Sequence, residues 1–209
     1  MITTVLFDFD GTLANTNNLI INSFKHIYEK FGKEHDEDYI MGTFGEPLLL
    51  TLNRDFGMHN IEDVIASYRE YQFERFYDEV FLYPNVIETL EYLKSKGIVM
   101  GVVTSRLRNS TEEALKNFNI IKYFDVIITA DDTKNHKPHK EPLMMALKVL
   151  NKNVKETLFV GDSKFDMECA INAEATPVLV GWQTNSIELA EQYNIKHFLD
   201  NMWDLTKMI

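Results

Sequence analysis

Five short apolar segments constrain the fold of this chain more than any other feature. They lie at residues 4–9, 98–103, 125–129, 157–160 and 177–180. Segments this short and this apolar are typical of strands that are buried on both faces of a parallel sheet. Helical patterns at 85–95, 110–118 and 143–150 separate most of them, and this alternation predicts an α/β fold built on a doubly wound parallel sheet.

Two of these helices carry recognisable end signals. Ser110 and Glu113 have the spacing of a capping box, which predicts that the second helix begins at Ser110. Gly97 follows the first helix at a position where helices commonly end. The third helix follows a segment with two prolines, 136–142, which predicts a stiff connection.

Residues 15–82 depart from the alternation of strand and helix. They contain no convincing strand and read as helix throughout, for example at 19–31, 48–56 and 64–76. The segment is dense in aromatic residues, which we expect to form a core of its own: Phe24, Tyr28, Phe31, Tyr68, Tyr71, Phe73, Phe76 and Tyr77. The predicted organisation is an α/β core domain of residues 1–14 and 83–209 with an inserted α-helical cap domain of residues 15–82.

Composition excludes several classes of partner. The net charge is −11 and no cluster of Lys and Arg is present, which argues against a nucleic-acid partner. Cys169 is the only cysteine, so an internal disulfide is impossible. The apolar runs are far shorter than the roughly 20 residues of a membrane span, and no signal peptide is recognisable, so we expect a cytoplasmic protein without a membrane partner.

Polar residues follow three of the predicted strands at the point where each ends. Asp8 and Asp10 stand at the end of the first strand, after Val5-Leu6-Phe7, while Thr104 and Ser105 end the second and Asp162 ends the fourth. Ligands of open α/β sheets bind outside the carboxyl ends of the strands. These side chains are therefore predicted to meet at one edge of the sheet.

The acidic residues among them suggest a cation. Asp8 and Asp10 are two residues apart and repel each other unless a cation lies between them or one is protonated. The alternative is an ordinary turn at the strand end. Asp162 also needs a partner, and Mg2+ is the natural one for carboxylate oxygens. Asp166 either contributes to such a site or forms a capping box with Ser163.

Lys137 is the candidate positive charge of the site. It lies in the proline-flanked segment and could neutralise anionic groups at this edge of the sheet, although an ordinary surface lysine is the competing interpretation. His136 and His139 flank it, but no cysteine or third histidine completes a zinc site, so they are interpreted as loop residues.

Taken together, these residues resemble the four motifs of the haloacid dehalogenase superfamily of aspartyl phosphotransferases, in the family's order. The matching segments are Asp8-Phe9-Asp10-Gly11-Thr12, Val102-Val103-Thr104, Lys137-Pro138, and Gly161-Asp162 with Asp166. The helical insert stands where the family most often carries its cap domain. The resemblance covers essentially the whole chain.

The resemblance implies a two-step phosphoryl transfer. Asp8 would attack phosphorus, and Asp10 would protonate the leaving oxygen and then activate water. Thr104 and Lys137 would bind the transferring phosphoryl group. The implied Mg2+ ligands are Asp8, Asp10 through its backbone carbonyl, Asp162 and Asp166.

Within the superfamily the closest resemblance is to phosphoglycolate phosphatases and their inorganic pyrophosphatase relatives, so a small phosphorylated substrate is implied. The residues expected to contact it are Thr12, Ser105 and Arg106 in the core and Glu46 and Arg54 in the cap, with solvated surface charge as the competing interpretation of the charged ones. Two alternatives stay open: a sugar phosphomutase similar to β-phosphoglucomutase, and a non-catalytic phosphate-binding scaffold. Asn85 and Glu174 depart from the family pattern, which usually has Gly there.

Overall fold

The structure is a computed structural model that describes residues 1–209, and it contains eight strands and nine α-helices. The strands are β1 (Thr4–Phe7), β2 (Ala14–Asn15), β3 (Phe81–Leu82), β4 (Val99–Val103), β5 (Val126–Ile128), β6 (Thr157–Gly161), β7 (Thr176–Val180) and β8 (Phe198–Leu199). The helices are α1 (Asn17–Lys30), α2 (Glu37–Gly42), α3 (Leu48–Phe56), α4 (Ile61–Glu79), α5 (Val86–Ser95), α6 (Arg108–Asn117), α7 (Glu141–Leu150), α8 (Lys164–Ala173) and α9 (Ser186–Gln192). None of these helices combines the length and the apolar character that crossing a membrane requires.

Six strands form one parallel sheet in the order β5-β4-β1-β6-β7-β8. β1 lies inside the sheet and pairs with β4 on one side and β6 on the other, with Leu6 opposite Gly101 and Phe159. The chain adds β4 and β5 on the first side and then crosses over to add β6, β7 and β8. The strand order therefore reverses beside β1, which places a ligand-binding crevice at its carboxyl end. The predicted α/β class and doubly wound sheet are confirmed.

Burial on both faces explains why the strands read as continuous apolar runs. In β1, Val5 and Phe7 belong to a cluster of 24 buried residues, whereas Leu6 belongs to a second cluster of 12. Successive side chains of a strand point to opposite faces, so a sheet covered on both sides needs an apolar residue at every position.

The helices α1 to α4 lie between the short antiparallel strands β2 and β3 and have a hydrophobic cluster of their own. Phe24, Tyr28 and Tyr68 belong to its nine buried residues, as expected. The expectation was wrong for Phe73 and Tyr77, whose exposed fractions are 70% and 67%. They lie on the solvent side of α4, a long helix that buries only a narrow stripe.

Two local expectations are corrected. Helix α6 begins at Arg108, and Ser110 forms no capping box but donates a hydrogen bond to the Leu107 carbonyl oxygen at 3.0 Å. The Asp131 carboxylate, distant in sequence, accepts the Arg108 N–H at 2.6 Å and so meets the need of the first turn for an acceptor. The expectation of no strand within 15–82 is wrong at its two ends, where β2 and β3 pair.

Candidate active site

The three adjacent strands β4, β1 and β6 each deliver a polar residue to the same edge of the sheet. Thr104 follows β4, Asp8 follows β1 and Asp162 follows β6, and all three are buried. The Asp8 N–H donates to the Val160 carbonyl oxygen at 2.9 Å, which extends the sheet pairing to the residue itself. The position of Asp8 is thus determined by the central strand.

A buried charge cluster surrounds Asp8. Carboxylate oxygens of Asp8, Asp162 and Asp166 all lie within 4.8 Å of one another. The Lys137 ammonium lies 2.9 Å from Asp8 Oδ1 and 2.6 Å from Asp166 Oδ1, and its side chain is only 2% exposed. Lys137 is therefore not an ordinary surface lysine. Lys137 pairs with two of the three carboxylates and Asp162 has no ammonium partner, which leaves negative charge uncompensated.

The pKa values of this cluster reflect that imbalance. Burial raises the pKa of Asp8 to about 7, because the opposing effect of Lys137 is smaller and Asp166 and Asp10 add to the rise. Burial also raises the pKa of Asp162 well above its ordinary value, with Asp166 and Asp8 contributing. Burial alone would lower the pKa of Lys137, but the carboxylates of Asp166 and Asp8 outweigh it and raise that pKa.

The donor set fits a hard divalent cation. Only carboxylate oxygens converge here, and a buried set of this kind is stable when a cation supplies the missing positive charge. Zinc would favour nitrogen or sulfur ligands. His139, one of the two histidines in the Lys137 segment, accepts the Glu141 N–H through Nδ1 at the start of α7.

Asp166 forms the capping box with Ser163 that the sequence offered as the alternative to metal binding. Its Oδ2 accepts from the Ser163 N–H at 3.1 Å and from Ser163 Oγ at 2.6 Å, which completes a capping box at the start of α8. Its Oδ1 accepts from Lys137 Nζ. Asp166 therefore anchors the helix and orients Lys137, and its role as a metal ligand stays a prediction.

Asp10 diverges from Asp8 despite the spacing of two residues. Its Oδ1 lies 2.8 Å from an Arg106 guanidinium nitrogen, and the two side chains are 22% and 10% exposed. The guanidinium also lies over the Phe9 ring, 5.6 Å from its centroid. The two acids of this segment thus have different surroundings. Asp8 lies in the buried cluster, whereas Asp10 is partly exposed and pairs with the Arg106 guanidinium.

The remaining predicted core residues lie close by. Thr12 Oγ1 donates to Asp162 Oδ1 at 3.1 Å, and Thr104 Oγ1 accepts the Arg106 N–H at 3.2 Å. Ser105 Oγ donates to the carbonyl oxygen of Gly45, a residue of the helical insert, at 2.9 Å. Ser105 therefore joins the core to the insert.

The two predicted cap residues pair with each other. Arg54 donates to both carboxylate oxygens of Glu46, at 3.1 and 3.0 Å, and Thr51 Oγ1 donates to Glu46 Oε2 at 2.6 Å. The structure does not bring either charged group into the Asp8 cluster, and their contact with substrate stays a prediction.

Sequence reasoning missed three residues near the Asp10–Thr12 turn. Trp182 and Gln183 both donate to the Gly11 carbonyl oxygen, and Tyr68 of α4 is buried and near enough to Arg106 and Asp10 for their charges to influence its pKa. A signal was present for the first two, because Gly181-Trp182-Gln183 directly follows β7 at the same edge of the sheet. The sequence marked Tyr68 only as an aromatic residue of the insert's own core and not as a neighbour of the site.

Comparison with known proteins agrees with this geometry. A model of the haloacid dehalogenase-like hydrolase family matches residues 5–180. The chain belongs to this family. The expectation of an enzyme of the phosphatase type is confirmed with it.

Two relatives align over the full chain. A protein of Caldanaerobacter subterraneus subsp. tengcongensis, provisionally named pyrophosphatase PpaX, is 40% identical over 210 residues, which cover all of this chain and 94% of the relative. Pyrophosphatase PpaX of Bacillus mycoides is 36% identical over 209 residues, which cover all of this chain and 97% of the relative.

Solved structures share the whole fold. A provisionally identified haloacid dehalogenase-like hydrolase from Bacteroides fragilis is 27% identical, with a TM-score of 0.89 over 98% of this chain and all of the other. A provisionally identified phosphoglycolate phosphatase from Lactobacillus plantarum is 25% identical, with a TM-score of 0.86 over the full length of both chains.

Proposed function

We propose that this enzyme hydrolyses inorganic pyrophosphate with Mg2+ through an aspartyl-phosphate formed on Asp8. The observation that carries the proposal is the position of the Asp8 carboxylate, which lies at the end of the central strand, 2.9 Å from Lys137 and within the three-carboxylate cluster. The choice of pyrophosphate among phosphorylated substrates rests on the two full-length relatives named PpaX.

Asp8, Asp162 and the Asp10 backbone carbonyl would hold the metal, with Asp166 acting directly or through a water. When bound, Mg2+ supplies the positive charge that the cluster lacks and that a phosphoryl group requires. Burial raises the pKa values of Asp8 and Asp162 despite the nearby Lys137 ammonium, which supports a further cation at this position.

The protein groups account for the bond changes. An Asp8 oxygen forms the bond to phosphorus while the bond from phosphorus to the leaving oxygen breaks. Asp10 gives its proton to the leaving oxygen and then takes one from the water that hydrolyses the aspartyl-phosphate. Lys137 and Thr104 would neutralise and orient the transferring oxygens.

Arg106 supports an anionic leaving group. It pairs with Asp10, the residue proposed to protonate that group. Its guanidinium would therefore lie next to the departing half of the substrate. When pyrophosphate is cleaved, the departing half is itself a phosphate, which a guanidinium can bind through two parallel hydrogen bonds. A neutral sugar would offer the Arg106 guanidinium no negative charge to bind.

We further propose that residues 15–82 act as a cap domain that closes over the site. The Ser105–Gly45 hydrogen bond and the separate hydrophobic cluster of the insert support this division. Burial raises the pKa of the Tyr68 hydroxyl, and Arg106 and Asp10 are close enough to influence it with opposite sign. Closure of this kind excludes water from a phosphoryl transfer.

Substitution of the nucleophile tests the reaction. Asp8→Asn should reduce Mg2+-dependent phosphate release from pyrophosphate by at least about 10³-fold, because the amide cannot form the intermediate. Asp63→Asn, an exposed acid in the first turn of α4, is the matched control and should be fully active. Full activity of Asp8→Asn, or of the wild type in excess chelator, would contradict the mechanism.

A substrate panel tests the specificity separately. Pyrophosphate, phosphoglycolate, sugar phosphates and nucleotides are compared at equal concentration, and pyrophosphate should have the highest kcat/KM. A structure provisionally identified as β-phosphoglucomutase from Thermotoga maritima is 26% identical with a TM-score of 0.81, so the panel includes a mutase assay. Isomerisation of a sugar phosphate that depends on a phosphorylated activator would replace the pyrophosphatase proposal with a mutase.

A further inference from the structure

The carbonyl oxygen of Gly11, between Asp10 and Thr12, is held by two neighbouring side chains. Trp182 Nε1 donates to it at 2.8 Å and Gln183 Nε2 at 3.0 Å. Because a carbonyl oxygen only accepts hydrogen bonds, the end of Gln183 that faces Gly11 must be its NH2 group. Both donors come from the loop after β7, which no catalytic motif includes.

The fit around Gly11 is close. Its φ is +74°, and a Cβ built on it would lie 2.7 Å from Gln183 Nε2 and 2.2 Å from Asp162 Oδ2. A residue with a side chain would therefore push Gln183 or the acidic cluster away. The turn that carries Asp10 and Thr12 thus packs closely against both Asp162 and the Trp182–Gln183 pair.

Gln183 also contacts both connections to the helical insert. Its Oε1 accepts from Asn17 Nδ2 at 2.9 Å, and Asn17 is the first residue of α1. Its Nε2 lies 3.3 Å from the hydroxyl of Tyr83, which directly follows β3. The Tyr83 ring also packs on Trp182, with 5.0 Å between the centroids. One carboxamide therefore touches the catalytic turn and both chain crossings into the insert.

The loop that presents this carboxamide is itself anchored. Ser186 donates to the Gln183 carbonyl oxygen through Oγ at 2.8 Å and through its N–H at 3.2 Å, which fixes Gln183 at the start of α9. The Gly181 N–H donates to the Leu199 carbonyl oxygen of β8 at 2.8 Å. The sheet and α9 thus hold the loop at both ends.

We propose that Trp182 and Gln183 are positioning residues that hold the Gly11 peptide, and that Gln183 couples the orientation of the Asp10–Thr12 turn to the seating of the cap. The proposal rests on the phosphoryl transfer assigned to Asp8. A turn that shifts by about 1 Å moves Asp10 relative to the leaving oxygen, and displacements of that size cost up to about 100-fold in rate.

Nearly isosteric substitutions test the clamp. Gln183→Glu keeps the acceptor for Asn17 but places an oxygen against the Gly11 carbonyl oxygen. Trp182→Phe removes the donor and keeps a ring against Tyr83. Each should lower kcat about 10- to 100-fold, as loss of outer partners of a metal site typically does, while KM changes by less than about threefold. Thr184→Ala, in the exposed part of the same loop, is the control and should match the wild type.

A spectroscopic measurement separates positioning from a loss of folding. The chain has two tryptophans, and Trp203 packs on Tyr92, so Trp203→Phe leaves Trp182 as the only indole reporter. In that background, Mg2+ with inorganic phosphate should change the Trp182 emission. Addition of Gln183→Glu should abolish the change while the thermal unfolding transition stays cooperative.

The outcomes distinguish this inference from the proposed function. If the wild type hydrolyses pyrophosphate and both clamp variants keep kcat within about twofold, the clamp is refuted and the function stands. If the wild type hydrolyses no phosphate compound, the function fails. The emission experiment then tests the clamp independently. A change in Trp182 emission that is as large with Gln183→Glu as without it overturns the clamp.

Discussion

At the scale of single residues, Asp8 is held where its charge costs stability. Burial raises its pKa from 3.8 to about 7, although Lys137 lies 2.9 Å away. The native state therefore keeps a proton on Asp8 that the unfolded chain releases between about pH 3.8 and pH 7. Across that window this group makes the metal-free protein less stable as the pH rises. The proposed cation site therefore lowers the stability of the protein when no cation is bound.

The residue-scale prediction is that an inactive variant is more stable. Near pH 8 in chelator, Asp8→Asn should raise Tm by at least about 2–4 °C, which corresponds to about 1 kcal/mol in a chain of this size. Near pH 5 the gain should be clearly smaller, because Asp8 is then protonated in the native wild type and only the lower part of the window from pH 3.8 to about 7 contributes. Differential scanning calorimetry at both pH values measures the effect.

Asp10→Asn is the control for that measurement. It removes the acid that pairs with Arg106 in a partly exposed position, so it should not stabilise the protein at either pH. A Tm of Asp8→Asn equal to the wild-type value near pH 8 would show that Lys137 already compensates Asp8 fully.

At the scale of elements, two helix ends have a residue other than glycine in a backbone conformation that favours glycine. Glu174 ends α8 with φ +64°, and Asn85 precedes α5 with φ +64°. A left-handed conformation crowds the Cβ of every L-residue, and Asn tolerates it better than Glu. The two positions where the sequence departs from the family's glycine pattern are thus positions that glycine would suit.

We therefore predict that Glu174→Gly stabilises the protein. It should raise Tm by about 2–4 °C, and Asn85→Gly should raise it less. Glu174→Ala is the control, since it also removes the exposed Lys155 ion pair but keeps a Cβ, and it should not raise Tm. Equal Tm values for the Gly and Ala variants would mean that the ion pair, and not the backbone, determines the effect.

Sequence patterns predicted elements whose signal is local. The five buried strands were found because each is a short continuous apolar run, and most helices because their apolar residues recur at helical spacing. β8 was missed because it has two residues, and the helix start at Ser110 was wrong because Asp131, distant in sequence, supplies the acceptor at Arg108. Boundaries set by tertiary contacts leave no local pattern to read.

At the scale of the whole molecule, the site depends on strand order. Asp8, Thr104 and Asp162 could be predicted to meet because each follows an apolar run, and the parallel sheet brings such ends together. The place of Gln183 at this edge could be predicted from its position after β7, but its contacts with both crossings into the insert could not, since they depend on how the insert packs on the core. The motifs are enough to predict the chemistry, whereas the contacts between insert and core can be seen only in the folded structure.

The contact between insert and core gives the last prediction. Gly45 has φ +84°, and a Cβ there would lie 2.6 Å from Ser163 Oγ and 3.0 Å from the Phe165 ring, while its carbonyl oxygen accepts from Ser105. Gly45→Ala should therefore keep the insert from seating on the core. We expect kcat/KM to fall about tenfold or more, with kcat and KM both affected, as for other closure elements.

Gly32→Ala separates this effect from backbone strain. Gly32 also has a left-handed φ, +67°, but nothing lies within 4 Å of a Cβ built on it. Both variants should lose about 1 kcal/mol of stability in urea denaturation, and only Gly45→Ala should lose activity. If Gly32→Ala loses as much activity as Gly45→Ala, general destabilisation explains the result. If neither loses activity, the Gly45 contact does not limit turnover, because closure of the insert then proceeds without it.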